Sequence, residues 1–178
     1  MTTVSGTITS FNDEDEEILI QLIPEGKETP LYEVTVKGNT AEYSITDVVS
    51  GTYTMRITKA GHVIDEYAIT AEAEVIQNVT LRLKGDATSD NAVGAKDVIM
   101  SRRSIAGGSS IEIDFDAADV TGDSVVNAKD VVKLRRYISG GWNVEYDEKF
   151  DLDGNGSVNA RDVSLIGRYI SGGWSVEL

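Results

Sequence analysis

Residues 151–162 read Asp-Leu-Asp-Gly-Asn-Gly-Ser-Val-Asn-Ala-Arg-Asp, a twelve-position segment that could bind a divalent cation. Oxygen-bearing side chains stand at positions 1, 3, 5, 9 and 12, and glycine stands at position 6. Ca²⁺ takes about six to eight oxygen ligands, which a short loop brings together only by turning sharply, and glycine permits the positive φ of that turn. With the backbone carbonyl of position 7 included, the predicted ligands are Asp151, Asp153, Asn155, Ser157, Asn159 and Asp162.

The same register occurs twice more upstream, so three calcium loops of EF-hand spacing are predicted: loop one (86–97), loop two (119–130) and loop three (151–162). The predicted ligands of loop two are Asp119, Thr121, Asp123, Val125, Asn127 and Asp130. Those of loop one are Asp86, Thr88, Asp90, Ala92 and Asp97, whereas Gly94 at position 9 supplies no side chain. The alternative, solvated acidic turns, would not explain a register that is repeated three times.

Position 6 differs between the loops, being Gly156, Ser124 and Asn91 from loop three to loop one. Serine and asparagine adopt positive φ less readily than glycine does, by about 1 kcal/mol. We therefore expect affinity to fall from loop three to loop two to loop one, with two or three Ca²⁺ ions bound. Whether loop one holds calcium stays open.

Apolar residues at helical spacing follow each loop and predict three loop–helix repeats: repeat one (86–108), repeat two (119–141) and repeat three (151–173). The predicted core residues of the helices are Val98, Ile105, Val131, Leu134, Ile138, Val163, Ile166 and Ile170. Residues 112–118 and 145–150 could each form a short helix that enters the next loop. Valine at position 8 of every loop (Val93, Val126 and Val158) predicts a short strand contact between paired loops.

Residues 1–84 alternate apolar and polar side chains and are punctuated by Gly, Pro, Asn and Asp turns, which predicts a β-sandwich of about seven strands. The sixth and seventh strands are expected over His62–Thr70 and Val75–Leu83. Since no Pro/Ser/Thr-rich linker follows residue 84, we expect a domain boundary at 84/85 and direct contact between residues 1–84 and 85–178.

Composition excludes several classes of function. A net charge of −14 and a pI near 4.4 argue against nucleic-acid binding, which requires a basic face. No apolar run is long enough to span a bilayer, and the absence of cysteine excludes disulfides and thiolate chemistry. The first residues do not resemble a signal peptide, so a secreted protein would be represented here by a mature piece or a fragment.

Short sequence motifs resemble those of two protein families. Ser5-Gly6-Thr7-Ile8, the run 43–53 and Lys59-Ala60-Gly61-His62 resemble the carboxypeptidase regulatory-like and Cna-B-like sandwiches, which have the prealbumin fold and usually lack catalysis. Residues 119–130 followed by Leu134-Arg135-Arg136-Tyr137-Ile138 resemble a dockerin, and so do residues 151–162 followed by Arg168-Tyr169-Ile170. Aspartate at position 12 is usual in dockerins, and the sequence motifs are most similar to those of ruminococcal dockerins.

The resemblance implies a non-catalytic, calcium-dependent assembly module that docks on a cohesin of a scaffoldin. Such complexes, cellulosomes or amylosomes, degrade polysaccharides outside bacterial cells, so the implied location is extracellular, at the bacterial surface. The implied architecture is an X module, an all-β sandwich (1–84), followed by a small all-α dockerin with EF-hand-like loops (85–178). The free protein is expected to be monomeric, with no nucleic-acid or membrane partner.

The resemblance also implies partner contacts at loop positions 10 and 11 and at positions 17 and 18 in the helix. The corresponding residues are Ala95, Lys96, Arg102, Arg103, Ala128, Lys129, Arg135, Arg136, Ala160, Arg161, Gly167 and Arg168. Dockerins normally carry two repeats, whereas this chain carries three, and which two form the partner-binding pair stays open. A plain solvated helix face is the alternative reading of the arginine pairs.

Two other functions remain as alternatives. A calcium buffer or sensor would open a groove for a target helix, but methionine is scarce in the repeats and no long entering helix is evident. The β-sandwich could instead be a carbohydrate-binding domain or an enzyme. Residues 1–84 contain no tryptophan for a flat sugar platform and no recognisable nucleophile–base pair.

Overall fold

The computed structural model describes residues 1–107 and 111–140, together with the single residue Leu165. The chain divides into two compact units, Met1–Trp142 and Asn143–Leu178. The first unit contains the N-terminal half and repeats one and two. Loop three and the helix predicted after it lie outside the described residues, apart from Leu165, which is helical.

The N-terminal half is a sandwich of two four-stranded sheets. Its strands are β1 (Thr2–Thr9), β2 (Glu17–Pro24), β3 (Tyr32–Lys37), β4 (Thr40–Val48), β5 (Thr52–Lys59), β6 (Asp65–Thr70), β7 (Val75–Ile76) and β8 (Val79–Thr80). One sheet has the order β4-β1-β7, with β8 also pairing with β1, and the other has the order β3-β2-β5-β6. The predicted all-β sandwich is confirmed.

Alternation of apolar and polar residues places one face of each sheet in a common core. In β4 and β5 every second residue is buried for most of the strand. Ile8, Ile20, Leu22, Met55 and Ile57 are fully buried in this core. Tyr43 is buried as well, and its hydroxyl donates to the Gln77 carbonyl at 2.9 Å, which satisfies the polar end of an otherwise apolar residue.

The seventh predicted strand is divided in two, because at one point the side chain of Asn78, and not a backbone carbonyl, accepts the hydrogen bond from β1. Both β7 and β8 pair in parallel with β1. Between them the Thr7 N–H donates to the Asn78 Oδ1 at 2.9 Å. Opposite this point, a Cβ on Gly6 would lie 2.1 Å from the Gln77 carbonyl oxygen, so the close approach of the two chains requires glycine. The sixth strand begins at Asp65, three residues later than predicted.

Residues 86–107 and 111–140 contain three helices, α1 (Ala95–Ile105), α2 (Phe115–Ala118) and α3 (Ala128–Gly140). Helices α1 and α3 follow loops one and two as predicted, and α2 confirms the short entering helix expected over 112–118. Helix α1 packs on α3 around a small core of Val98, Val120, Val131 and Leu134, with Val93 and Tyr137 at its edge.

One detail of the predicted helix packing is wrong. Ile105 and Ile138, each near the end of its helix, are 41% and 43% exposed instead of buried. Within residues 1–107 and 111–140 no β-bridge joins Val93 to Val126, and Val93 packs on the helical core. The strand contact stays a prediction for the loop pairs that include Val158, which lies outside the described residues.

Arg82, just beyond β8, connects the sandwich to the repeats. Its guanidinium contacts the carboxylate of Asp65 on β6 at 2.7 Å and the carboxylates of Asp114 and Asp116, at the start of α2, at 3.1 and 3.2 Å. Asp114 also accepts a hydrogen bond from the Ala117 N–H and thereby caps α2. The predicted contact between the two halves is confirmed, since the Arg82 guanidinium contacts carboxylates in both halves.

Arg82→Met should destabilise the protein by about 1–3 kcal/mol, because it leaves the buried Asp65 carboxylate without its charged partner. Chemical denaturation monitored by circular dichroism measures the free energy of unfolding. Arg56→Met is the matched control: Arg56 pairs with Glu66 at 2.7 Å, both side chains are exposed, and we expect a loss below about 1 kcal/mol. Equal losses in the two variants would contradict the role given to Arg82.

Candidate metal centres

The position-12 carboxylate closes each described loop onto the helix that follows it. In loop two, Asp130 Oδ1 accepts hydrogen bonds from the Thr121 N–H at 3.0 Å and from the Thr121 hydroxyl at 2.9 Å. Its Oδ2 accepts from the Asn127 N–H at 2.8 Å. Loop one repeats this pattern around Asp97, which bonds to Thr88 and to the Gly94 N–H. Position 12 therefore connects positions 3 and 9 and caps the helix.

The position-1 carboxylate holds the middle of each loop. In loop two, Asp119 accepts from the backbone N–H groups of Gly122, Asp123 and Ser124 at 2.8, 3.2 and 2.6 Å. In loop one, Asp86 accepts from the N–H groups of Asp90 and Asn91 at 3.1 and 2.7 Å. Such convergence of backbone N–H groups on one carboxylate curls the segment so that its side chains face inward.

Both described loops turn through residues with positive φ, as predicted for position 6. Asn91 and Ser124, at position 6, each have φ of 64°. Position 4 also has positive φ, at Ser89 (55°) and Gly122 (78°). This second turn was not predicted, and the serine in loop one gave no sign of it. Loop two has glycine at position 4 and loop one does not, so the backbone of loop two is the less strained at that point.

Three carboxylates converge in loop two. Oxygen atoms of Asp119, Asp123 and Asp130 lie within 4.8 Å of one another, and within the described residues no other set of three acidic or histidine side chains does so. Calcium–oxygen distances are about 2.3–2.6 Å, so two ligands on one ion are separated by up to roughly 5 Å. The spacing and the all-oxygen chemistry of these groups therefore fit Ca²⁺.

Loop one differs from loop two because a lysine forms an ion pair with one of its carboxylates. Lys96 Nζ lies 2.7 Å from Asp90 Oδ2, and Asp90 Oδ1 accepts from the Ala92 N–H at 3.2 Å. The hydrogen bond from Lys96 lowers the pKa of Asp90, and the same contact raises the pKa of Lys96. Asp86, Asp90 and Asp97 thus share one loop, but a cation from the chain itself already occupies Asp90.

The two position-1 carboxylates also differ in electrostatics. Burial raises the pKa of Asp86, and the nearby carboxylates of Asp97 and Asp90 raise it further. Burial acts in the same direction on Asp119, but hydrogen bonds from Gly122, Ser124 and Thr121 outweigh it, so the pKa of Asp119 is lowered. Loop two is therefore the better prepared of the two to present a charged position-1 ligand.

The oxygens predicted at positions 7 and 9 of loop two are engaged within the loop. The Val125 carbonyl accepts from Asn127 Nδ2 at 3.0 Å, and Asn127 Oδ1 accepts from the Lys129 N–H at 2.9 Å. The predicted ligands Asp151, Asp153, Asn155, Ser157, Asn159 and Asp162 lie outside the described residues.

The predicted partner-contact positions of repeats one and two are all exposed. They are Ala95, Lys96, Arg102 and Arg103 in repeat one, and Ala128, Lys129, Arg135 and Arg136 in repeat two. Ala160, Arg161, Gly167 and Arg168 lie outside the described residues. Exposure is necessary for a contact and does not demonstrate one, so these positions stay predictions.

The sequence-based prediction missed two ionic features. The sequence predicts Arg82 only as a strand residue, and it carries no signal of the ion pairs, because Asp65, Asp114 and Asp116 are distant along the chain. Lys96 was assigned to partner contact alone. Lys96 lies six residues after Asp90, and this spacing alone does not indicate that its side chain folds back onto the Asp90 carboxylate.

The dockerin type I family model matches residues 84–139 and again residues 118–171. The first match covers repeats one and two, and the second covers repeats two and three. The C-terminal half of the chain therefore belongs to the dockerin type I family. The predicted fold class, a β-sandwich followed by a small helical dockerin, is confirmed.

Several solved structures are similar to part of the chain. Two are interface mutants, C-terminal and N-terminal, of a type II cohesin–X–dockerin complex from Acetivibrio cellulolyticus, with identities of 18% and 21% and TM-scores of 0.39 and 0.37. Each match covers 76% of this chain and 94% of the other. A third is the Bacillus anthracis TIE protein, at 16% identity and a TM-score of 0.29, covering 46% of this chain and 16% of the other. No curated protein sequence matched significantly.

Asp130→Ala should destabilise α3 even without calcium, by about 2–3 kcal/mol, because it leaves the backbone N–H groups of Thr121 and Asn127 without an acceptor. Urea unfolding of chelator-treated protein, monitored by the helical circular dichroism signal, provides the measurement. Asp123→Ala is the control from the same loop. Asp123 is exposed and, within the described part of the chain, accepts only from the Val125 N–H, so we expect less than about 1 kcal/mol. If the two variants behave alike, position 12 does not organise the loop.

Proposed function

We propose that this chain is a non-catalytic assembly module that uses Ca²⁺ to order its repeats and docks on a cohesin of a scaffoldin. Membership of the dockerin type I family is the observation that carries the proposal. The converging carboxylates of loop two support calcium binding, since carboxylates held this close repel one another without a cation. Two or three ions are proposed, one for each loop that binds.

The proposed organisation is an X module over residues 1–84 and a dockerin over residues 85–178, with repeats at 86–108, 119–141 and 151–173. The X module acts as a spacer that stabilises the dockerin. Direct contacts support this role: the guanidinium of Arg82, in the X module, lies 3.1 Å from the Asp114 carboxylate and 3.2 Å from the Asp116 carboxylate, both in the dockerin. The X module is thereby bonded to the start of α2.

Repeats one and two are proposed as the pair that binds the partner. The packing of α1 on α3 supports this, because it brings two loop–helix units into one core. Each unit presents an exposed lysine at position 11 and an arginine pair at positions 17 and 18. These basic groups on a chain of net charge −14 suit an acidic partner surface and would speed encounter with it.

The proposed location is extracellular, in a bacterial cell-surface complex that degrades polysaccharides. The complexes in which dockerins act support this location. Among the described residues, no helix is long and apolar enough to cross a membrane.

Excess chelator should lower the helical circular dichroism signal in part and abolish binding to cohesins, because the carboxylates of the loops repel one another once the cation is removed, whereas the hydrogen bonds of Asp130 still cap α3. Binding is measured on an array of purified cohesin modules, with a calcium-replete sample in parallel. Adding Ca²⁺ back should restore both signals, which distinguishes loss of the ion from damage to the protein. If helicity and cohesin binding both survive the chelator, the proposal is wrong. Capture of amphipathic peptides in place of cohesins would favour a calcium sensor.

Replacing either arginine pair, Arg102 with Arg103 or Arg135 with Arg136, by alanine should weaken cohesin binding about tenfold, if repeats one and two form the pair. Calorimetry against a cohesin that binds the unaltered chain measures the change. Arg168→Ala in repeat three is the control and should leave the affinity unchanged. A larger effect from Arg168→Ala than from the repeat-one pair would show that repeats two and three bind instead.

A further inference from the structure

The lysine at position 11 is used differently in the two described loops. In loop one, Lys96 lies in the first turn of α1 and reaches back to Asp90 Oδ2 at 2.7 Å. In loop two, the equivalent Lys129 forms no ion pair within residues 1–107 and 111–140. The carboxylate that Lys129 would have to reach, that of Asp123, instead takes part in the three-carboxylate cluster. Both loops therefore have lysine at position 11 and aspartate at position 5, but these two residues form an ion pair in loop one alone among the described residues.

Ca²⁺ and the Lys96 ammonium would compete for the same oxygen atoms. Asp90 is the predicted position-5 ligand of loop one, and both of its oxygens are already engaged, by Lys96 Nζ and by the Ala92 N–H. An ion entering the loop must displace the ammonium, because two cations cannot share one carboxylate oxygen at close range without strong repulsion. Loop one also lacks a side chain at position 9, where Gly94 stands, so it has no spare ligand with which to compensate.

We propose that Lys96 is a built-in competitor for calcium, which keeps the affinity of loop one below that of loop two and ties it to whatever else engages this ammonium. This inference rests on the proposed function, since it presupposes that the loops bind calcium. It predicts a lower affinity of loop one from a contact that the ranking based on position 6 did not use.

The competition has a thermodynamic consequence for partner binding. Lys96 also stands at a predicted partner-contact position, so a partner carboxylate that pairs with it would release Asp90 to the ion. Calcium in loop one would then bind more tightly in the complex, and by reciprocity calcium would tighten the complex. The effect is limited in size because both side chains are exposed to solvent, at 63% for Lys96 and 38% for Asp90.

The test is Lys96→Met in the full chain, with Lys129→Met as the matched control, which removes the same charge from the same position of loop two. Calcium is titrated and followed by NMR at the backbone amides of Asn91 and Ser124, the position-6 residues, so that each loop is read separately. Lys96→Met should raise the calcium affinity of loop one about two- to fivefold, the range expected for losing one exposed ion pair. Lys129→Met should change loop two by less than half as much. Lys96→Arg, which keeps the cation, should show no gain.

Two results would overturn the inference while leaving the proposed function intact. One is an unchanged response of loop one in Lys96→Met while loop two binds calcium normally. The other is an equal gain in both lysine variants, which would reduce the effect to the general removal of positive charge. Absence of any calcium response at both Asn91 and Ser124 would overturn the proposed function together with this inference.

Discussion

A buried carboxylate is unfavourable unless hydrogen bonds or a cation satisfy it, and the repeats are built around two such groups. Asp97 and Asp130 are each 1% exposed. Each receives three hydrogen bonds, and the donors come from the beginning and the end of its loop. The loop closes because this carboxylate must be satisfied, and the helix starts there because the same carboxylate caps it. Loop curvature, helix position and the convergence of acidic side chains all depend on it.

The sandwich contributes to the same region through Arg82 and α2. Helix α2 is only one turn long, which is too short to be stable alone, so its position depends on contacts outside itself. Arg82 supplies them at the capping residue Asp114, while the backbone of Gly85 bonds to the last turn. Loop two starts directly after α2, at Asp119. The N-terminal half is therefore linked to the start of loop two through a short, directly bonded path.

Much of this arrangement could be predicted from residue types because it depends on local rules. Period-2 alternation identified β1 to β6, and the repeated spacing of Asp, Thr and Asn identified both described loops and the starts of α1 and α3. What could not be predicted depends on contacts between residues that are distant in the sequence. Asn78 replaces a backbone acceptor because it lies opposite Thr7 on β1. Ile105 fits the helical stripe, yet it is 41% exposed at the end of α1. The fold-back of Lys96 depends on a rotamer that spacing does not determine.

The parallel pairing of β1 with β7 and β8 has a mechanical consequence. Pulling on the N-terminal end of β1 and on the chain leaving β8 stretches two strands that run in the same direction, so the hydrogen bonds between them are loaded along the strand axis and share the force. Antiparallel hairpin strands pulled at their open end would instead separate one bond at a time. Tension applied at the two ends of the sandwich would therefore be shared among these hydrogen bonds.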